Sequence, residues 1–390
     1  MALDTRLTRD PAELEAIYRF RFQVYYGELG ARLPEDTVRS GQLRCDLDAV
    51  AYQYASFEDG QVVGCVRVAD LKDIRKDNTL IAKYRLHEVI NTWGKDAITF
   101  PGRMAVSEKF RNRSLALRLM TLATEEARGR EIRLAFLDST PHLLPFYEAV
   151  GFRRYAPAFS DPLFGFKQPL LFLLHDYVGL KAIGSPLART LHESEDDPEI
   201  RAWYAQHYSA YAAPRTATLL PCGAFTDLVE RSCDGALSNM PFFRNLSREE
   251  IDLILKKSTL IDAQAGDVVI RSGLRDAYLC VVLSGRLESH HVGYHLDTLR
   301  PGDLCGETEF LTNRERIAEV VAREPTTLLI LPTEHLDQVI EKDVMIGRAL
   351  MKNLAGRLAA QTAQRLDGLA CSVVHQSNAR PVELTTGSTW

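Results

Sequence analysis

From Phe242 onward the chain breaks into short β runs in quick succession: DVVI, AYLCVVL, RLESHHV, HLDTLR, AEVVA and TLLILP. Gly266, Gly273, Gly285 and Gly302 punctuate them. Spacing this tight leaves room for turns and little else, the pattern of a small β-barrel or jelly roll. Ser247-Arg248-Glu249-Glu250 opens a short helix ahead of it with a capping box. Val344 to Leu366 is expected as a terminal helix, with Leu350, Leu354 and Leu358 on one face as core packing. The polar tail, 371–390, is expected to be disordered.

The first half has a different rhythm. Leu14, Ile17, Tyr18, Phe22 and Tyr25 fall near one face of a helix over Ala12 to Tyr26. Ala49 to Ser56 and Val62 to Val68 read as a hairpin around Phe57-Glu58-Asp59-Gly60-Gln61. Further strands are expected at Ile98–Val106, Ile132–Asp138 and Phe164–Leu174, with helices at Arg111–Arg130 and His142–Val150. This order mixes antiparallel and parallel pairing, so the fold class is α+β over about the first 185 residues. Between the halves, SEDDPEIRAWYAQHYSAY has an acidic start, a proline near a first helical turn and aromatics at helical spacing. It is expected to be a partly helical connector, 186–237, packed on a neighbour.

At 390 residues there is length for two domains. A net charge of -5 gives no support to a nucleic-acid surface. Seven cysteines, an odd number and without a CxxC pair, favour a reduced cytoplasmic protein over a disulfide framework or a metal site. The polar N-terminus does not read as a signal peptide, and the apolar runs are too short for a transmembrane segment.

The stretch FRNRSLALRLM resembles a phosphate-gripping loop without its glycines. Backbone N–H groups at a helix N-terminus bind phosphate, and small residues let the backbone approach. Asn112, Ser114 and Ala116 stand where glycines would be, with Arg111 and Arg113 adding charge and Leu115 between. A solvated basic helix start would look the same in isolation.

The context resembles the Gcn5-related N-acetyltransferase (GNAT) superfamily over roughly residues 10 to 180. A strand ending in Val106 leads into SEKF and RNRSLA, and LPFYEAVGFRRY looks like the superfamily's second motif. The resemblance implies that Tyr147 protonates the leaving thiolate. It also implies that Arg103, Met104, Ala105 and Val106, with residues 111 and 113–116, bind the pantetheine thioester. YRFRFQVYYGELG, RCDLD and GQVVGCVRV are similar to acyl-homoserine lactone synthases and N-acyl amino acid synthases, whose donors are long-chain acyl carrier proteins. The lactone synthases carry Glu-x-Ser-Arg on the central strand. Here the run is FPGR, which keeps only Arg103 and argues against a lactone synthase.

Acyl transfer to an amine needs a neutral amine, a polarised carbonyl and a protonated leaving group. Asp46, Asp48, Glu28 and His142 are the candidate bases. An extended Asp46-x-Asp48 would put both carboxylates on one side, while a turn or cap pair is the plainer alternative. Arg67 is a candidate for binding an acceptor carboxylate, or a partner of Asp46 or Asp48. No tightly bound cofactor is expected; acyl carrier protein or coenzyme A thioester is the co-substrate. The acceptor is an amino acid, or a lysine- or ornithine-type side chain of a peptide.

GDLCGETEFLTNRERIAEVVA resembles the phosphate cassette of cyclic nucleotide-binding domains. The resemblance implies roles for Gly306 in close approach, Glu307 at the ribose and Arg316 at the cyclic phosphate. Two departures count against a nucleotide ligand: Glu309 sits where alanine is usual, and Ile317 follows the arginine. An extra carboxylate repels a phosphate, and Arg316 has Glu309 or Glu319 as alternative partners. A structural or docking role for 238–370 is therefore preferred. The expectation is a fatty acyl N-acyltransferase domain over 1–185. A cyclic-nucleotide-regulated lysine acetyltransferase and a non-enzymatic scaffold are the alternatives.

Overall fold

The computed structural model describes residues 3–378 apart from 76, 112, 113, 234 and 313, with side chains up to 363. The N-terminal strands are β1 (Asp4–Thr8), β2 (Tyr52–Glu58), β3 (Gln61–Asp70), β4 (Ile98–Val106), β5 (Leu134–Ser139), β6 (Arg153–Arg154), β7 (Phe159–Asp161) and β8 (Gly165–Leu173). They form one sheet in the order β1-β2-β3-β4-β5-β8-β6, with β7 on β8. Only β4 and β5 run parallel.

Local chemistry accounts for most of these elements. The β2–β3 turn is tighter than the five residues expected. Asp59 and Gly60 alone make it, both with positive φ (50° and 79°), as a two-residue hairpin turn requires. Asp10 caps the helix Pro11–Phe22 by accepting from the Ala12 and Glu13 N–H groups. That helix then widens into a π-helical stretch, Gln23–Glu28. The helix Leu115–Gly129 lays Leu115 and Leu119 over Gly64 of β3, where a Cβ would come within 3.0 Å of the Leu115 side chain. The opposite face of the sheet is covered by Leu86, Trp203 and Tyr204, so the helix Pro198–His207 of the connector is part of this core.

The second set of strands is β9 (Thr259–Ala263), β10 (Val268–Ile270), β11 (Tyr278–Ser284), β12 (Leu287–His291), β13 (Tyr294–Leu299), β14 (Leu304–Cys305), β15 (Glu319–Ala322) and β16 (Thr326–Pro332). They form two four-stranded antiparallel sheets, β10-β15-β12-β13 and β14-β11-β16-β9. This is the jelly-roll alternative; the sheets do not close into a barrel. The capping box forms as expected, with Glu250 accepting from the Ser247 N–H at 2.6 Å. The terminal helix runs Val344–Asn378, past the expected end at 366 and into the segment expected as tail; 379–390 lie outside the described residues. Its Leu350 and Leu354 bury in the jelly-roll core.

The two halves share apolar packing. Leu170, Phe172 and Leu187 belong to the same buried cluster as Ile261, Val269, Tyr278 and Ile330. Polar contacts reinforce the seam. The Arg32 guanidinium donates to the Ser272 carbonyl at 2.7 Å, the Arg275 N–H donates to the Leu29 carbonyl at 3.1 Å, and the Val268 N–H donates to Ser160 Oγ at 2.7 Å. Among the described residues no helix is long and apolar enough to cross a membrane.

Candidate active site

A β-bulge opens the first sheet. The β3–β4 register slips between Cys65↔Ala105 and Arg67↔Gly102, so Arg103 and Met104 together face Val66. Arg103 takes a left-handed φ of 53°, a strained setting for a residue with a Cβ. β4 leaves β5 ahead of the bulge: the two strands pair only at Ile98↔Leu134 and Thr99↔Ala135. Past Thr99 and Ala135 the two strands are unpaired, with Met104 and Ala105 following on the β4 side and the end of β5 on the other. The Tyr25 hydroxyl donates to the Met104 carbonyl at 3.0 Å and pins the bulge. The Arg103 guanidinium lies 4.4 Å from the centre of the Phe164 ring.

Tyr147 sits on the helix Leu144–Val150, which Gly151 ends with a φ of 116°, and neighbours Tyr25 and Asp138 of β5. The Phe146 and Phe152 rings meet the Tyr147 ring edge-on, each 5.4 Å away between centres. The tyrosine lies deep in the protein yet is only half-buried, as a residue in a cleft wall should be. Its hydroxyl bonds to no described residue. Burial, then the neighbouring Tyr25 and Asp138, push its pKa above the ordinary tyrosine value, so it holds its proton at neutral pH.

The loop end is partly described. Arg113 and Asn112 lie outside the described residues. Ser114 precedes the helix Leu115–Gly129 without bonding its N–H groups. Leu115 is buried in the sheet core, so it serves the fold and not a ligand through its side chain, and Ala116 is half-buried beside it. Arg111 donates to the Val106 carbonyl at 3.1 Å and is ion-paired with Glu28.

The candidate bases separate. Asp46 and Asp48 are not extended: they lie in a 3-10 turn, Asp46–Ala49, where Asp48 accepts from the Cys45 N–H at 2.8 Å as a cap. Asp48 also pairs with Arg21 at 2.7 Å and Arg67 at 3.6 Å, and Asp46 is exposed. Burial of Asp48 is outweighed by those two arginines, which hold its carboxyl below the usual range. It is a structural counter-ion, and Arg67 is its partner. Glu28 is engaged by Arg111. His142 stacks on Tyr278 of β11, with 5.9 Å between ring centres, and burial, then the charges of Lys167 and Arg316, lower its pKa to about 3. It is neutral at pH 7 and a weak base.

Sequence reasoning missed three residues that the fold brings to this place. Asp138, next to the end of β5, accepts from the Tyr84 hydroxyl at 2.7 Å and pairs with Lys83 at 3.0 Å. Lys167 stands in β8 and feels the charge of Asp138, then that of Asp276 in the loop before β11, without an ion pair to either. A lone lysine in GFKQPLLFLL and an aspartate closing LAFLD were the available signals.

In the second domain Arg316 is buried and already engaged through both terminal nitrogens, while its Nε has no partner among the described residues. It donates to Glu309 at 2.9 Å and to the carbonyls of Asp276 (3.0 Å) and Tyr278. The second Glu309 oxygen accepts from the Ile317 N–H at 3.2 Å. Glu309 thus accepts from an arginine and a backbone N–H, as a phosphate would. Gly306, with a φ of 95°, lies so close to the Arg316 guanidinium that no side chain fits there. Glu307 is buried, and burial raises its pKa.

Residues 51–154 match the GNAT acetyltransferase domain, and residues 260–343 match the cyclic nucleotide-binding domain. The chain joins a GNAT acyltransferase domain to a cyclic nucleotide-binding domain. The second domain is similar to the cyclic AMP receptor protein of Thermus thermophilus, at 34% identity over 127 residues, 31% of this chain and 59% of that one. It is also similar to the human potassium/sodium hyperpolarization-activated cyclic nucleotide-gated channel 3, at 28% identity over 123 residues, 32% of this chain and 16% of the channel. This chain thus spans a minor part of the channel and under two thirds of the receptor protein. The solved structure of FeeM, an N-acyl amino acid synthase from uncultured soil microbes, aligns over 49% of this chain and 99% of its own, with 14% identity and a TM-score of 0.38.

Proposed function

We propose that the GNAT domain moves an acyl group, of fatty length, from a phosphopantetheine thioester to an amine. The observation that carries this is the Tyr147 hydroxyl, protonated and without a hydrogen bond to any described residue, on the helix that follows β5, which pairs with β4 at only two positions. The thioester lies between the unpaired ends of β4 and β5, with its carbonyl against the β4 backbone near Ala105 and Val106. The neutral amine attacks the carbonyl carbon, the C–N bond forms and the C–S bond breaks; the thiolate takes the Tyr147 proton, and the proton the nitrogen sheds as the amide forms passes through water to restore the tyrosine hydroxyl. The acceptor is an amino acid or a lysine- or ornithine-type side chain.

The donor is an acyl carrier protein in preference to coenzyme A. A carrier's pantetheine arm presents one phosphate at the mouth, which a loop without glycines and with Arg111 and Ser114 accommodates. Turnover of both donors at equal rates would remove that preference. Intact mass spectrometry of candidate amines and peptides after co-expression tests the whole reading. The added mass gives the chain length, and Tyr147→Phe should abolish most of it. No acylated product with any amine, from long- or short-chain donors, would overturn it. The reading as a cyclic-nucleotide-regulated lysine acetyltransferase is weakened by the Glu309–Arg316 pair.

A further inference from the structure

The helix that carries Tyr147 is too short to hold itself. It spans seven residues, Leu144–Val150, and no side chain caps its N-terminus. Helices of this length are marginal in water on their own, so its seat comes from tertiary contacts. Several of these reach it from the second domain and the connector. The turn before it, Pro141–Leu143, packs on β9 and β16, and the His142 ring stacks on Tyr278 of β11. The Thr218 hydroxyl donates to the Pro145 carbonyl at 3.4 Å.

The strongest of these contacts is ionic. Glu148, the residue after Tyr147, is buried and pairs with the buried Arg154 at 2.7 Å. Arg154 donates onward across the seam, to the Leu260 carbonyl and Thr259 Oγ1 of β9 at 2.6 Å each, and to Thr216 Oγ1 of the connector at 3.3 Å. The Thr216 hydroxyl in turn donates to Glu148, and the Tyr204 hydroxyl donates to the Arg154 carbonyl at 2.7 Å. The Tyr147 hydroxyl, by contrast, bonds to no described residue. Its place is set by the helix backbone and by the Phe146 and Phe152 rings beside it.

We infer that Arg154 is a positioning residue for Tyr147: through Glu148 it seats the tyrosine helix against β9, so that the cyclic nucleotide-binding domain sets the aim of the acid. This rests on the proposed acyl transfer and adds the second domain to its machinery. The placement needs no nucleotide, since every contact above is made by protein atoms. An acid acts within hydrogen-bond reach of the atom it protonates, and a displacement of about 1 Å can cost about 100-fold in rate.

Two measurements on the full chain test this. In the first, a fluorotyrosine replaces Tyr147, and fluorine NMR reads its surroundings without turnover. Its resonance should move or split with Arg154→Met and with Thr259→Val, and move less with Arg154→Lys, which keeps a cation. Thr259→Val keeps the ion pair and serves where Arg154→Met does not fold. A second reporter at Tyr54, buried in β2, should stay unchanged, which separates a local shift from a loosened fold. In the second measurement, stopped flow follows thiol release from octanoyl pantetheine and from an octanoyl nitrothiophenol thioester, with hydroxylamine as the amine. Arg154→Met should slow the alkyl thioester about tenfold and the aryl thioester less than about twofold, because only the alkyl thiolate needs the proton. A partly unfolded enzyme would slow both alike. An unmoved Tyr147 resonance in the folded variants, or equal losses on the two thioesters, overturns the inference. Where hydroxylamine releases no thiol, the resonance decides alone. If Tyr147→Phe itself shows no difference between the two thioesters, the acid reading falls, while a moved resonance still puts the tyrosine helix under the control of Arg154.

Discussion

Glu148 and Arg154 tie the helix carrying Tyr147 to the second domain, and their disruption has a calculable cost. Both side chains are nearly inaccessible, 5% and 6% exposed, with Arg154 Nε 2.7 Å from Glu148 Oε1. Arg154 also donates to the Leu260 carbonyl at 2.6 Å and to Thr259 Oγ1 at 2.6 Å, and the Thr216 hydroxyl donates to Glu148. Glu148→Gln keeps the volume but leaves the guanidinium without its counter-charge. Breaking one side of a buried pair costs about 3–5 kcal/mol. Three neutral acceptors remain around Arg154, the Leu260 carbonyl, Thr259 Oγ1 and, at 3.3 Å, Thr216 Oγ1, so the low end, about 3 kcal/mol, is expected. That is a large part of the ~5–15 kcal/mol that holds a domain together. Urea unfolding followed by circular dichroism should show a lower midpoint with an unchanged slope. The double variant Glu148→Leu/Arg154→Met removes both charges together and should lose less than the sum of its two single variants. A loss below about 1 kcal/mol for Glu148→Gln, or simple additivity in the double variant, would refute the reasoning.

Three further outcomes are expected. Tyr147→Phe should lower kcat about 100-fold with an alkyl thioester and far less with an aryl thioester, whose thiolate leaves without a proton; equal losses in stopped-flow thiol release would remove Tyr147 as the acid. His142 should make the fold acid-sensitive. The unfolded chain protonates this histidine below about 6.5, whereas the native ring stays neutral down to about 3. Its contribution to stability is therefore full above the unfolded value and is lost as pH falls toward 3. His142→Gln should flatten the dependence of unfolding free energy on pH between those limits. Finally, Glu309→Ala should bind cyclic AMP at least about tenfold more tightly than wild type by calorimetry, because the arginine is released and a carboxylate is removed; equal affinities would mean that the pair does not block the cassette.

What could be read from residue order was whatever depends on near neighbours. The Asp59-Gly60 turn, the Ser247–Glu250 capping box and the Gly151 stop each depend on a few adjacent residues, and each forms. The GNAT and cassette stretches were legible because their residues are contiguous. The two aspartates at 46 and 48 were ambiguous for the opposite reason. Their geometry depends on Arg21 and Arg67, which are remote in the chain and supply the charges that fold the segment into a cap. Asp138, Lys167 and Asp276 come from three separate elements. No spacing rule links them, and only the packing of β10 on β8 brings the last to the first two.

One continuous oily interior runs from Leu170 to Ile330, so the two halves cannot be traded like beads on a string. Cutting the chain after residue 185 would bare that grease to water and invite clumping. Drift in the sandwich should surface as altered chemistry some distance away, which is why variants that look like folding defects there deserve to be screened for turnover as well.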